Sequence, residues 1–210
     1  MKLLVIGAGG HAKVVIDAAR AAGFDVVGAV GRENDPADVL GIPVVAGAEG
    51  TGAEAFIVGI GDNHTRAELF DTWLDAGLKP VAVVHPSAII AEGVTIESGA
   101  FVAPGVIVNV GSHIGENAIL NTGCSIDHDV VVGTHAHIGP RVALCGGVMV
   151  DEGALVGVGS CAVPLAHVGA WSIVGAGAAV TGDVPEGATW GGVPARALHG
   201  RRAQSPHEDR

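Results

Sequence analysis

From Ile90 to Val180 every sixth residue is aliphatic, running through Ile96, Val102, Val108, Ile114, Leu120, Ile126, Val132, Ile138, Leu144, Val150, Val156, Ala162, Val168 and Val174. The residue four places after each is small (Ala100, Ser112, Ala118, Cys124, Ala136, Ala154, Ser160, Ala166, Ser172 and Ala178) or valine. A helix repeats about every 3.6 residues and a strand about every two, so a period of six belongs to neither. It belongs to a solenoid in which each hexapeptide supplies one short strand and one turn. Three hexapeptides close one triangular coil. The aliphatic residue fills the interior, and the small one sits where a corner leaves no room for a long side chain. Stacked coils, about 4.8 Å apart, share backbone hydrogen bonds as parallel strands. Composition agrees: 34 glycines, 3% aromatic residues and no tyrosine leave a core of small aliphatic groups around many tight turns.

The first part of the chain follows another pattern. Leu3–Ile6, Ala12–Ala22 and Val26–Val30 read as strand, helix, strand. Two further strands are expected at Ala55–Ile60 and Val81–Val84, separated by a helix over Asn63–Ala76 that Gly77 ends. This predicts a small parallel sheet flanked by helices, a Rossmann-like α/β domain over residues 1–85. A β-helix domain over 86–198 and a polar, mobile tail over 199–210 follow. The apolar start Met1–Ile6 is read as a buried strand rather than a signal peptide, because His11 and Lys13 interrupt it early. No run approaches the roughly 18 apolar residues of a membrane span.

A formal charge of -11 argues against wrapping nucleic acid or lying on an anionic membrane. Cys124, Cys145 and Cys161 form neither a metal-ligand spacing nor an even set, which points to reduced thiols and a cytoplasmic protein.

Several short motifs accompany the repeat: Gly7-Ala8-Gly9-Gly10-His11-Ala12, Gly59-Ile60-Gly61-Asp62-Asn63 with Arg66, His85-Pro86-Ser87-Ala88, and Gly192-Val193-Pro194-Ala195-Arg196. With them the chain resembles the hexapeptide-repeat sugar O/N-acetyltransferases of the sialic-acid O-acetyltransferase and bacillosamine-pathway type over almost its whole length. The resemblance implies a left-handed parallel β-helix, a homotrimer with clefts between subunits, and acetyl-CoA as co-substrate. It implies acetylation of a nucleotide-linked sugar, with N-acetylation at C4 favoured and O-acetylation of sialic acid or another glycan precursor second.

Acetyl transfer from a thioester needs a base for the acceptor's proton and donors for the tetrahedral oxyanion. In Asn121-Thr122-Gly123-Cys124-Ser125-Ile126-Asp127-His128-Asp129, His128 lies two places after the inward Ile126, at a turn position that faces outward. It is the candidate base, and Asp129 is positioned to orient and polarise it. An outward His-Asp pair also occurs as a plain solvated corner. The family places its catalytic histidine and an acidic neighbour here. The resemblance further assigns His137, Gly146 and Val158 to the acetyl-CoA channel and puts Arg196 near the CoA phosphates. Gly10, His11 and Gly61, with Asn121, go to the acceptor site beside a neighbouring subunit's catalytic coil. The Gly146 N–H is a candidate oxyanion donor, since glycine lets a ligand approach the main chain. Paired acidic residues usual after strand two in uridine-nucleotide binders are replaced by Gly31-Arg32-Glu33-Asn34-Asp35.

The glycine-rich turn before the first helix suits an anion at a helix N-terminus. A dinucleotide is disfavoured, because Ala12 replaces the third glycine and no acidic residue ends strand two. Two rival functions remain at this level. A zinc-dependent β-helix carbonic anhydrase would draw on His113, His128, His135 and His137, with His113 and His128 expected on one face and the other two on the next. A non-catalytic sugar-nucleotide-binding scaffold would keep the fold without the chemistry.

Overall fold

The computed structural model describes residues 1–198; the expected polar tail lies outside the described residues. The first part is a six-stranded sheet. Strand β1 (Lys2–Ile6) is central, flanked by β2 (Asp25–Val30) and β5 (Ala55–Val58), all parallel. Apolar residues without alternation form these strands because both faces are covered, as a parallel sheet requires. Helix α1 (Gly10–Ala21) buries Ala12, Val15, Ile16 and Ala19 on one side. Helix α2 (Asn63–Asp75) caps the other, where Phe70 packs with Leu4, Ile6, Phe56 and Val58. Asp62 starts α2 by accepting the Thr65 N–H at 2.9 Å.

Two strand expectations need correction. A hairpin of β3 (Asp38–Val39) and β4 (Ile42–Val45) extends the sheet beyond β2, although Pro43 and the loop-like residues around it masked the signal. The other edge is β6 (Lys79–Pro80), beside β5. Val83–Val84, expected in this sheet, pairs instead with Phe101–Val102 and is the first rung of the solenoid. Val84 is six residues before Ile90, so the repeat itself carried that information.

The second part is a parallel β-helix with three flat faces. The first face stacks Val83–Val84, Phe101–Val102, Ile119–Leu120, His137–Ile138, Leu155–Val156 and Ile173–Val174, closed by Thr189–Gly191 and an antiparallel Arg196–Ala197. The second runs from Ile89–Ile90 to Ala179–Val180, and the third from Thr95–Ile96 to His167–Val168. Partners within each face are eighteen residues apart, as in Ile119 with His137. The last coil is shorter, with Ile173 facing Thr189. The periodic aliphatic residues fill the interior, and the small residues four later are buried beneath the corners.

Each corner bends through one residue with positive φ. Glycine fills most of these places, as at Gly99, Gly111, Gly147 and Gly153, but Asn117, Asp129, His135, Arg141, Leu165 and Trp171 occupy others. A non-glycine residue there carries a conformational cost, so each deserves a reason. The sheet domain docks along the first face and the corner between the third and first faces, where α1 meets Val83–Val84 and α2 lies along the turns.

Candidate active site

The corner between the second and third faces carries His128. Its side chain is exposed, and Nδ1 lies 2.8 Å from Asp129 Oδ2. The left-handed conformation of Asp129 (φ 58°) turns its carboxylate back onto the neighbouring imidazole. An acceptor at Nδ1 selects the Nδ1–H tautomer and leaves Nε2 with a free lone pair. The hydrogen bond to Asp129, then the charge of Asp127, raise the imidazole pKa above its ordinary value.

Glycines one coil away on each side make room for this pair. A Cβ on Gly111 would come within 2.4 Å of Asp129 Oδ1, and one on Gly146 would lie 2.5 Å from His128 Cε1 and Nε2. The main chain at Gly146 therefore runs directly beneath the free ring nitrogen. Its N–H takes no part in the ladder between coils, where Cys145 and Gly147 donate to Ala162 and His128. Sequence reasoning missed two supports. Asp127 accepts the His128 N–H at 2.8 Å, and Asn109, one coil earlier, donates to Asp127 at 3.1 Å. The eighteen-residue spacing from Asn109 to Asp127 was the available signal.

The other expected residues gather elsewhere. Gly10 opens α1, and Gly9 caps the helix without a side chain. His11 faces Phe101 edge-on at 5.6 Å and lies 6.2 Å from His137, centroid to centroid. His137 projects from the first face. Its Nδ1 is 3.2 Å from the Gly61 carbonyl, and its Nε2 is 3.0 Å from Asn121 Nδ2. Both ring nitrogens are thus engaged within the chain, which leaves a ligand the ring edge rather than a free donor. Burial, reinforced by the Arg66 charge, depresses His11 to about 4 and His137 to about 3. Both are neutral imidazoles at physiological pH.

Val158 is half exposed on the corner between the first and second faces, and Arg196 sits on the hairpin ending the first face. Within one chain, therefore, His128, Asp129 and Gly146 form one cluster, while Gly10, His11, Gly61, Asn121 and His137 form a second on a different side of the prism. The expected pairing of His113 with His128 on one face does not hold. His113 lies on the third face beside Glu97 at 3.1 Å, His128 at a corner, His135 buried at another corner against Asn117, and His137 on the first face. Among the described residues no group of three or more His, Cys, Asp or Glu side chains could hold a metal ion. The three cysteines are free, and burial pushes Cys124 up to about 12. No described helix is long and apolar enough to cross a membrane.

Comparison with known proteins adds three observations. Residues 2–73 match the family model of the PglD N-terminal domain. Perosamine N-acetyltransferase from Caulobacter crescentus, solved as a histidine-to-asparagine variant with CoA and GDP-perosamine, is 40% identical with a TM-score of 0.91, covering 95% of this chain and 98% of that one. The acetyltransferase domain of PglB from Neisseria gonorrhoeae, solved with acetyl coenzyme A, is 31% identical with a TM-score of 0.88, covering 94% and 98%. WeeI from Acinetobacter baumannii shares the fold at 22% identity and a TM-score of 0.82, covering 94% and 100%. No curated protein sequence matches the chain. A solenoid built on sixfold periodicity, an α/β domain docked on its first face, and full-length similarity to two such enzymes place this chain in the hexapeptide-repeat sugar acetyltransferase family, as an acyltransferase.

Proposed function

We propose that the protein transfers an acetyl group from acetyl-CoA to the C4 amino group of a nucleotide-linked amino sugar. The observation that carries this reading is the solvent-facing His128–Asp129 pair set over the bare main chain of Gly146. His128 Nε2 takes a proton from the amine as the nitrogen attacks the thioester carbonyl carbon and the C–N bond forms. The Gly146 N–H donates to the oxyanion. Collapse breaks the C–S bond, and the imidazolium returns its proton to the departing thiolate. Asp129 keeps the imidazole in the productive tautomer and stabilises its cation. No covalent enzyme intermediate is needed.

The acceptor site comprises Gly10, His11, Gly61 and Asn121, and the acetyl-CoA channel comprises His137, Val158 and Arg196. These lie on a different side of the prism from His128, so a complete site takes its base from one copy and its acceptor loop from another. A homotrimer provides this arrangement. The exposure of Val110, Val131, Met149 and Leu165 (59%, 38%, 48% and 80%) supports it, since such side chains flank the His128 corner and gain by being covered. Free thiols suit the reducing cytoplasm. A GDP-linked acceptor is favoured, because the Caulobacter relative at 40% identity was solved with GDP-perosamine and this chain lacks paired acidic residues after β2.

The test is release of free CoA thiol across GDP-, UDP- and dTDP-linked 4-amino sugars and free sialic acid. Turnover is expected with a GDP-linked amino sugar. Silence across the panel despite acetyl-CoA binding would defeat the reading, and turnover of sialic acid alone would replace N-transfer by O-transfer.

A further inference from the structure

Helix α2 reads the corner between the third and first faces one rung at a time. Its buried residues are Asn63, Arg66 and Phe70, spaced by three and four so that they share one side of the helix. One helical turn rises about 5.4 Å and one solenoid coil about 4.8 Å, so successive turns meet successive coils. Phe70 covers Gly99, where a Cβ would enter its ring at 2.5 Å. Asn63 donates to the Gly153 and Ala154 carbonyls at 2.9 and 3.2 Å, and His64 stacks on Trp171 at 4.3 Å.

Arg66 lies between these contacts and is fully buried. Its guanidinium donates to carbonyls rather than to a carboxylate. Nε bonds Asn117 O at 3.0 Å, Nη2 bonds the carbonyls of His135 and Ala136, and Nη1 bonds those of Ile60 and Gly61 at 3.4 and 3.3 Å. The first three belong to the solenoid and the last two to the loop before α2. Asn117 answers by donating to the Arg66 carbonyl at 3.3 Å and lies 2.9 Å from His135 Nδ1. This explains why two corners in succession carry Asn117 and His135 at positive φ where glycine would cost less. A buried cation whose hydrogen bonds all go to main-chain carbonyls is an expensive device for docking a helix, which an aliphatic side chain would achieve.

The Gly61 carbonyl shows what the device does. It accepts from Arg66 Nη1 and from His137 Nδ1 together. A carbonyl can only accept, so His137 carries its proton on Nδ1. The other nitrogen then accepts from Asn121 Nδ2, whose amide is oriented by the Thr122 N–H donating to Asn121 Oδ1 at 2.8 Å. The chain from Thr122 through Asn121, His137 and Gly61 to Arg66 admits one arrangement of protons.

Resting on the acetyl-transfer reading above, we infer that Arg66 is a positioning residue. By clamping the Gly61 carbonyl to the solenoid, it fixes His137 as a single Nδ1–H tautomer and sets the acceptor loop at a defined distance from the first face. Each substrate keeps its own binding groups, so Arg66 governs alignment rather than affinity.

The test compares Arg66→Lys and Arg66→Gln with Phe70→Leu, which loosens the same helix on the same corner, where Phe70 meets the His135 ring edge-on at 5.9 Å, but leaves the guanidinium that bonds Gly61 in place. All three are expected to lower the melting temperature by a few degrees. The two Arg66 variants are expected to lose about 10- to 100-fold in kcat per folded enzyme, with both KM values within about threefold, since small misplacement of bound reactants costs that much. Phe70→Leu should keep its kcat within about twofold. Long-range proton–nitrogen correlation should show His137 as the Nδ1–H tautomer in the parent and as a mixture, or the Nε2–H form, in the Arg66 variants. Unchanged kcat with an unchanged tautomer, or an equal loss in Phe70→Leu, overturns the inference. An inactive parent defeats the acetyl-transfer reading instead, and the tautomer measurement then decides the clamp by itself.

Discussion

Histidines at the exposed corner and at the buried domain junction are tuned in opposite directions. At the corner, His128 stands in solvent between Asp127 and Asp129, which raise its pKa. At the junction, burial first and then the nearby Arg66 charge lower the pKa values of His11 and His137 to about 4 and 3. One environment stabilises the imidazolium of an exposed ring, the other keeps two buried rings neutral, of which His137 engages both nitrogens within the chain. One residue type thus serves two opposite settings, separated by whether the ring stands in solvent beside carboxylates or is buried near a guanidinium.

The largest expected effect tests the corner directly. His128→Ala should reduce turnover about 10²- to 10⁴-fold while acetyl-CoA binding, measured by calorimetry, persists. A loss of only a few-fold would remove the base assignment.

Gly146→Ala asks whether the bare main chain beside the ring matters. Its backbone is not in the left-handed region, so alanine is conformationally tolerated, but the methyl group would meet the imidazole. The exposed ring can swing away, losing Asp129. A drop in kcat of about tenfold or more, with the melting temperature unchanged, is expected. An equal fall in stability would instead mark Gly146 as a packing residue.

Asp129→Asn sharpens the contrast in pKa. In the proposed mechanism the base works only when neutral, so activity should fall on the acid side as His128 protonates. Removing the group that raises its pKa should move that limb of the pH–kcat/KM profile to lower pH, with kcat reduced roughly tenfold. A limb that stays in place would show that Asp129 does not set the titration.

The smallest effect concerns the junction and stability alone. His11 and His137 have folded pKa values below the ordinary imidazole value of about 6.5, so the unfolded chain binds protons first on acidification. Their contribution is complete above about pH 6.5 and is lost as pH falls from there toward 4 and 3. The slope is at most about 1.4 kcal/mol per pH unit for each group. The melting temperature of His137→Gln should therefore fall less steeply than that of the parent between pH 6.5 and 4.

Much of this was legible in the residues themselves. Sixfold spacing of aliphatic side chains specifies a triangular coil because only that geometry returns every sixth side chain to one interior, and the turn position of His128 follows from counting along it. The adjacency of Asp129 needs no tertiary contact, since one left-handed turn residue brings its carboxylate onto its neighbour. Less was legible where position depends on residues distant in the chain. Val83–Val84 was misplaced although Val84 is in phase with the repeat, because two valines after a loop also fit the neighbouring sheet, and pairing with Phe101–Val102 decided it. The hairpin at Asp38–Val45 was hidden by glycine and proline in very short strands.

The repeat, the interior it fills and the exposed His128–Asp129 pair could be read from the residues alone, because each rests on local periodicity or on nearest neighbours. Folding in three dimensions was needed to bury Arg66 against Asn117 and His135 and to engage both nitrogens of His137 within the chain. It also set His128 and the Gly61 loop on different sides of one prism. Those outcomes depend on how a helix of one period settles on a solenoid of another, and that registry is set by contacts between residues fifty to ninety positions apart.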